Sequence, residues 1–245
     1  MLFQCFHLLL AIHLLAFPVV PEPLEPSERI IGGISLDITD VPWQVSLQEN
    51  GQHTCGGSIY SETIIITAAH CIGDTSHAIR AGSSLHNSGG VLVSVKSIII
   101  HPQYNRSNHQ NDVAVLKLSH PLSFSDTIQK IPLAEKDPPT GTMALSTGWG
   151  LDSIWLRPQQ LRGVEISIRL RTVCKWKYPD MFDEDICAGR IGKGVCKGDS
   201  GGPLVVDRQL VGIASRTGNY FCYASGLFVS VAYYRNWILK AIESI

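Results

Sequence analysis

The sequence predicts an all-β protein made of two similar halves. Short apolar runs rich in Val, Ile and Thr recur along the chain and are separated by Gly, Pro, Asn or Ser, which is the pattern of strands and turns. The stretch Ala134 to Thr142 is rich in charge, Pro and Gly, and it is predicted to link two β-barrels of similar length. The strand-like runs are Trp43 to Leu47, Thr63 to Thr67, Val91 to Ile100, Val113 to Leu118, Val164 to Ile168, Leu204 to Val206 and Leu210 to Ile213.

The C-terminal stretch has a different period, because its apolar residues recur at helical spacing. This pattern predicts a terminal amphipathic helix whose aromatic side chains pack into the core. The residues of the stripe are Val231, Tyr234, Trp237, Ile238, Ala241 and Ile242.

The amino-terminal end is predicted to carry a secretory leader and a propeptide. Residues 1 to 20 are almost wholly apolar without any Lys or Arg, and the segment Pro18 to Pro26 cannot continue a helix. Because the apolar run approaches the length of a membrane span, an uncleaved signal anchor is the alternative. Residues 21 to 29 are rich in Pro and charge, which is typical of an exposed processing segment. No membrane association is expected after the leader is removed.

Charge and cysteine content point to an extracellular protein. Residues 1 to 29 carry a net charge of -2, so the whole-chain charge of -1 becomes +1 for the remaining 216 residues, which gives no indication of nucleic-acid binding. Seven cysteines become six when Cys5 leaves with the leader, an even number that suits disulfides in a secreted chain. None of the six shows the C-x-x-C spacing of a zinc site, and spacing alone does not choose among the possible pairings.

The chemistry is concentrated in Gly194 to Pro203, where glycines surround one serine. A serine hydroxyl such as that of Ser200 attacks a carbonyl only with a base to activate it and amide donors for the oxyanion that forms. Gly198, Gly201 and Gly202 allow a sharp turn, so the N–H groups of Gly198 and Ser200 are predicted to form an oxyanion hole. The Gly-x-Ser-x-Gly pattern also fits α/β-hydrolases, but all nine histidines precede the serine, which excludes the residue order of that fold.

Two upstream stretches supply the partners that the serine needs. Thr67 to Cys71 contains His70, and Asn111 to Leu118 contains Asp112. With the serine segment they resemble the chymotrypsin/trypsin-like serine endopeptidases, and at whole-chain level the sequence resembles insect secreted members of the spermathecal type. The resemblance covers a peptidase domain from residue 30 to residue 245. It implies two antiparallel six-stranded β-barrels, at about residues 30 to 135 and 142 to 245, with a C-terminal helix.

The resemblance also implies a role for each member of the triad. His70 is expected to be the general base, Asp112 to orient its imidazole and Ser200 to be the nucleophile. A structural role is expected for the other histidines, including His53, His101 and His120. The implied disulfides join Cys55 to Cys71, Cys174 to Cys187 and Cys196 to Cys222.

The residues around Ile30 predict that the protein is made as a zymogen. Ile30-Ile31-Gly32-Gly33 resembles the mature amino terminus of the family, and Arg29 directly before it suits cleavage by an activating trypsin-like protease. The new ammonium group of Ile30 is then implied to pair with Asp199. The expected partners are polypeptide substrates, this activator and a protein inhibitor, for a monomeric enzyme without a cofactor.

The predicted specificity pocket departs from the trypsin pattern. In the family, the residue six positions before the nucleophile is Asp when basic side chains are selected, whereas here it is Gly194, followed by Val195. An uncharged P1 residue of small to medium size is therefore favoured. An acidic preference stays open, because two cations could line the rim. The other predicted pocket residues are Lys197, Ser215, Arg216, Thr217 and Gly226.

The predicted function is a secreted serine endopeptidase that hydrolyses peptide bonds through an acyl-enzyme. The alternatives are a catalytically silent protease-like protein that binds or regulates, and a membrane-anchored adhesion module. Asn105-Arg106-Ser107 is a glycosylation sequon. Ala81 to Gly90 contains no Asp or Glu, so no calcium or other metal site is predicted.

Overall fold

The computed structural model describes residues 33–151, 157–217 and 225–245, so the predicted leader and propeptide lie outside the described part. Within these ranges the chain is mostly antiparallel β-structure. The helices are α1 (Arg171–Lys177) and α2 (Val231–Ser244), and short 3₁₀ turns cover Ile38–Asp40 and Ala69–Cys71. The strands are β1 (Ile34–Ser35), β2 (Gln44–Glu49), β3 (Gln52–Ile59), β4 (Ile64–Thr67), β5 (His77–Ala81), β6 (Val91–Ile100), β7 (Ala114–Leu118), β8 (Met143–Gly148), β9 (Arg162–Ser167), β10 (Asp185–Ala188), β11 (Pro203–Val206), β12 (Gln209–Thr217) and β13 (Gly226–Ser230).

The first half of the chain closes into a six-stranded barrel with the order β2-β3-β4-β7-β6-β5. Asn50 and Gly51 connect β2 to β3 with φ angles of 51° and 77°, the left-handed conformation that a tight hairpin turn needs. Apolar side chains from every second position fill the interior, among them Val45, Leu47 and Ile79, all completely buried. The barrel thereby has no free edge between its strands.

The second half forms a seven-stranded sheet with the order β1-β9-β8-β11-β12-β13-β10. Its six longer strands come from the second half of the chain, and the seventh is the two-residue β1. Ile34 of β1 pairs with Gly163 of β9, so the amino-terminal end of the described chain is attached to the second sheet. Two barrel-like sheets and a C-terminal helix confirm the predicted fold class.

Helix α2 packs against both β12 of the second sheet and β7 of the first barrel, and its apolar face is buried as the periodicity predicts. Ser230 caps its start, because the Ser230 hydroxyl accepts a hydrogen bond from the Tyr233 N–H at 3.0 Å. The buried side chains of α2 join the same apolar cluster as the interior of the first barrel; they are Val231, Tyr234, Ile238 and Ala241. Among the described helices, none has the length and apolar character needed to cross a bilayer.

Candidate active site

The histidine and the aspartate of the predicted triad lie at one edge of the first barrel. Thr67 at the end of β4 pairs with Ala114 at the start of β7, so the segments carrying His70 and Asp112 leave the barrel side by side. His70 Nδ1 lies 2.7 Å from Asp112 Oδ2, and the His70 backbone N–H donates to Asp112 Oδ1 at 2.8 Å. A carboxylate can only accept, so it holds the imidazole proton on Nδ1 and leaves Nε2 free to accept a proton.

The Asp112 carboxylate is completely buried, and it accepts several hydrogen bonds. The hydroxyl of Ser215 donates to its Oδ2 at 2.5 Å. Burial acts to raise the pKa of Asp112, but the imidazoles of His109 and His70 and the Ser215 hydroxyl outweigh it and hold the pKa well below its ordinary value. The carboxylate therefore stays ionised at neutral pH beside the imidazole.

The serine segment packs directly against the turn that carries His70. The Gly56 N–H in β3 donates to the Ser200 carbonyl at 2.7 Å, and the Ser200 side chain is half-buried. A Cβ at Gly201 would lie only 2.1 Å from Thr67 Oγ1, and the φ of Gly201 is 74°, so this position requires glycine. Thr67 belongs to the first barrel and lies three residues before His70. The nucleophile segment of the second half of the chain therefore contacts the first barrel close to His70.

The backbone around Ser200 contains the two N–H groups predicted to form the oxyanion hole. Gly198 has a φ of 102°, which places its peptide in an orientation that few other residues adopt. The N–H groups of Asp199, Gly201 and Gly202 donate to backbone carbonyls at 2.7 to 3.0 Å. Those of Gly198 and Ser200 meet no backbone acceptor in the described ranges.

His53, for which the sequence suggested a structural role, forms a hydrogen bond with the backbone of this segment. Its Nε2–H donates to the Gly198 carbonyl at 3.0 Å, and its Nδ1 accepts from the Ser46 hydroxyl at 2.8 Å. Burial, reinforced by the positive charge of Arg157, lowers the pKa of His53 to about 3, so its ring is neutral. The contact joins residues 145 positions apart, and no local sequence pattern points to it.

Asp199 is a buried carboxylate next to the nucleophile. It accepts from the Gly150 N–H at 2.7 Å and from the Cys196 N–H at 2.9 Å. Burial raises the pKa of Asp199 to about 6, while these two hydrogen bonds and the charge of Arg157 act in the opposite direction. Its predicted partner, the Ile30 ammonium group, lies outside the described residues.

The residues predicted for the pocket floor are buried and apolar. Gly194 and Val195 are both buried, and Val195 belongs to an apolar cluster with Phe228. A Cβ at Gly226 would lie 2.9 Å from Val195 Cγ2 and 3.3 Å from the carbonyl oxygen of Arg216. Val195 and Gly226 thus face each other in close contact.

The Arg216 side chain, which the sequence left as a possible cation at the pocket rim, forms ion pairs with two carboxylates. The guanidinium group is 13% exposed and lies 2.7 Å from Asp180 Oδ2 and 2.8 Å from Asp185 Oδ2, above the ring of Phe182. It is therefore neutralised by two carboxylates, and only its backbone carbonyl faces Gly226. The side chains of Lys197 and Thr217 are exposed.

Disulfides join two of the three pairs that the family resemblance implied. Cys55 is bonded to Cys71, next to His70, and Cys174 is bonded to Cys187. Cys196 is also disulfide-bonded, and its implied partner Cys222 lies outside the described ranges.

The sequon residue Asn105 is exposed in the loop that precedes Asp112. Its Oδ1 accepts from the Ser107 N–H and hydroxyl at 3.0 Å and 2.7 Å, which fixes a tight turn. The amide group therefore lies on the surface, in a turn that includes the sequon serine.

Comparisons with known proteins agree with this geometry. The family described as Trypsin matches residues 30–238. Trypsin delta of Drosophila erecta is 44% identical over 234 residues, covering 90% of this chain and 92% of the relative. Trypsin alpha-4 of Lucilia cuprina is 42% identical over 249 residues, covering 97% of this chain and 98% of the relative. A mouse structure described as neuropsin, a serine protease expressed in the limbic system of the brain, has a TM-score of 0.80 and 30% identity, covering 86% of this chain and 99% of its own.

The fold and the comparisons together define a serine-type endopeptidase, a hydrolase of peptide bonds. The chain belongs to the trypsin family of serine proteases.

Proposed function

We propose that the protein is a secreted zymogen whose mature form cleaves polypeptides through Ser200, His70 and Asp112. The observation that carries this proposal is the 2.7 Å contact between His70 Nδ1 and Asp112 Oδ2, next to the glycine-rich serine segment. The apolar leader and the disulfides support secretion into an oxidising compartment.

The proposed reaction proceeds in two steps through a covalent ester. His70 Nε2 accepts the proton of the Ser200 hydroxyl as the oxygen attacks the scissile carbonyl, and the N–H groups of Gly198 and Ser200 bind the oxyanion. The imidazolium returns this proton to the leaving amine, which leaves the acyl group on the serine oxygen. A water molecule then gives its proton to His70 and attacks the ester, and the serine regains a proton as the acid product leaves. The ionised Asp112 stabilises the imidazolium in both steps.

A direct test uses the Ser200→Ala variant in the cleaved, mature form. Because the triad acts as a unit, kcat should fall by roughly 10⁴ or more, and labelling by a fluorophosphonate probe should disappear. Ser123→Ala is the matched control, since Ser123 is exposed and lies outside the site. Lack of labelling of the mature wild-type protein would favour the catalytically silent alternative.

Activation is proposed to follow cleavage after Arg29. The buried Asp199 carboxylate needs a counter-charge, and the new Ile30 ammonium group supplies one that can hold the Gly198 peptide in place. Pairing raises the pKa of the amine above its unfolded value of about 7.7 to 8.0, so this stabilisation is complete below that range and is lost as the pH rises through the folded-state pKa. Arg29→Gln should block activation by added trypsin, whereas Arg169→Gln, at an exposed position, should not. Equal activity of cut and uncut protein would contradict the model.

The proposed selectivity is for an uncharged P1 side chain of small to medium size. The facing pair Val195 and Gly226 is apolar, Gly194 offers no counter-charge, and the Arg216 cation is already paired, so neither a basic nor an acidic side chain finds a partner among these residues. The kcat/KM values for matched Arg, Phe, Leu, Ala and Asp peptides should be highest for Leu or Ala. Gly194→Asp should create activity toward Arg. A clear preference of the wild-type enzyme for Arg would overturn this assignment.

The proposed partners are polypeptide substrates, a trypsin-like activator and a protein inhibitor that binds the same cleft. The enzyme is proposed to act as an extracellular monomer. Size-exclusion chromatography with light scattering of the mature protein tests the monomer.

A further inference from the structure

The two most exposed large apolar side chains of the described residues lie in the second half of the chain. Ile191 is 95% exposed and Trp176 is 91% exposed. Trp176 lies in α1, and Ile191 lies at the tip of a short hairpin whose ends, Arg190 and Lys193, pair with each other. Contact of such side chains with water is unfavourable, so a group of them on the surface indicates an interaction site.

The end of α1 and the start of this hairpin contact the same residue, Ser225. Lys177 Nζ donates to the Ser225 carbonyl at 3.4 Å. The Gly189 backbone passes so close to Ser225 that an added Cβ would overlap the Ser225 backbone. The disulfide between Cys174 and Cys187 also ties α1 to β10, the strand that leads into the hairpin. The two exposed apolar side chains therefore belong to one region of the surface.

Positively charged side chains flank the exposed tryptophan. Successive residues of a helix lie about 100° apart around its axis, so Lys175 and Lys177 lie on either side of Trp176. Val173, which is 52% exposed, lies three positions before Trp176 and extends the apolar surface along α1. We call this surface the basic apolar patch, and it consists of six exposed residues: Val173, Lys175, Trp176, Lys177, Arg190 and Ile191.

The acidic residues closest in sequence do not neutralise the patch. Asp183 forms an ion pair with Arg171 at 3.1 Å, and Asp180 forms one with Arg216 at 2.7 Å. The three cations of the patch form no ion pair with any carboxylate of the described residues. The patch therefore presents three positive charges beside three apolar side chains.

We propose that the basic apolar patch binds the surface of a lipid bilayer that contains anionic phospholipids. The inference goes beyond the proposed function, and it revises the expectation from the sequence that no membrane association follows removal of the leader. It gives the secreted peptidase a surface on which it is concentrated.

The chemistry of the patch matches the boundary between lipid headgroups and hydrocarbon. A tryptophan ring has a large apolar body and a polar N–H, and this combination favours the interface over either phase. Each cation close to anionic headgroups strengthens binding by about fivefold. Apolar side chains that project almost fully into solvent, as Trp176 and Ile191 do, enter a fluid surface without needing a pocket of complementary shape.

Vesicle co-sedimentation of the secreted Ser200→Ala protein tests the patch without self-digestion. Amino-terminal sequencing first shows that the apolar leader is absent from the sample. The vesicles consist of phosphatidylcholine with or without phosphatidylserine. The partition coefficient should be at least roughly tenfold higher with phosphatidylserine, because three cations contribute, and this difference should shrink as salt is added.

Two variants with matched controls separate the apolar and the charged contributions. Trp176→Ala should lower the partition coefficient at least roughly tenfold, since even partial burial of this side chain removes a large apolar area from water. Tyr233→Ala changes another exposed aromatic residue, in α2, and should have no effect. Lys175→Gln should lower the partition coefficient about fivefold, whereas Lys130→Gln, at an exposed position outside the patch, should not.

Equal partition of Trp176→Ala and its parent would overturn the proposal, and so would equal binding to vesicles with and without phosphatidylserine. Binding to a heparin column that depends on Lys175 but not on Trp176, without sedimentation on vesicles, would assign the patch to a soluble polyanion instead. None of the six residues belongs to the triad, and the measurement does not use catalysis. If Trp176-dependent binding is found but the mature wild-type protein hydrolyses nothing, the lipid-binding patch stands and the proposed function fails.

Discussion

The buried carboxylate of Asp199 should make the uncut protein less stable as the pH rises. The pKa of Asp199 is raised from 3.8 to about 6, mainly by burial, so between these values the folded state holds a proton that the unfolded state has lost. Stability therefore falls as the pH increases through this window. Each unit of pKa is worth 1.36 kcal/mol, which gives a loss of about 3 kcal/mol by neutral pH.

Urea unfolding with intact disulfides measures this effect in the uncut Ser200→Ala protein, which cannot digest itself. Asp199→Asn removes the titrating group. Relative to its parent, the variant should gain about 3 kcal/mol in unfolding free energy as the pH rises from about 3.5 to about 7. Asp126→Asn, at an exposed position, is the control and should show no such change.

Cleavage after Arg29 should abolish the advantage of Asn at neutral pH if, as proposed, the new ammonium group pairs with the carboxylate. A difference between Asp199→Asn and its parent that is independent of pH in the uncut protein would refute the reasoning. A difference that survives cleavage unchanged would refute the pairing.

Four further predictions concern contacts seen around the site. Arg216→Met should destabilise the fold by about 3 to 5 kcal/mol in chemical unfolding, because it leaves Asp185, which is 3% exposed, as an unpaired buried charge. Asp180→Asn should cost at most about 1 kcal/mol in the same measurement, because that carboxylate is 63% exposed. Ser215→Ala should lower kcat in steady-state assays while leaving KM nearly unchanged, because it removes a donor to the triad carboxylate. Gly56→Ala should lower kcat by roughly 10²-fold, because its Cβ would lie 2.8 Å from the backbone of the serine segment and displace it.

Local patterns in the sequence predicted strands well where the strands are continuously apolar. The runs that correspond to β2, β4, β6, β7, β9, β11 and β12 all form strands. Strand β3 has no such run, because Gly56 and Gly57 take positions that larger side chains would otherwise fill. A Cβ at Gly57 would lie 3.0 Å from both Ile65 and Val45, so the strand depends on close packing that periodicity does not express.

Contacts between distant parts of the chain explain what the sequence could not predict at the site. The triad residues carry local motifs, but His53 meets Gly198 across 145 residues and Arg216 meets Asp180 across 36. Nothing next to these residues in the sequence indicates their partners. His109 lies only three residues before Asp112, yet its approach to the carboxylate depends on a left-handed backbone conformation that single-sequence patterns do not predict for histidine.

The attachment of β1 to the second sheet limits the reach of the new amino terminus. Ile30 lies four positions before Ile34, which is at most about 14 Å of extended chain. Ile34 pairs with Gly163, Gly163 pairs with Thr147, and a Cβ on the next residue, Gly148, would lie 2.3 Å from Asp199 Oδ1. Two strand spacings amount to roughly 10 Å, so a tether of this length spans the gap with little slack. In the proposed mature form this tether gives the amine a high effective concentration beside the carboxylate, so lengthening the tether should weaken activation without changing a contact in the site.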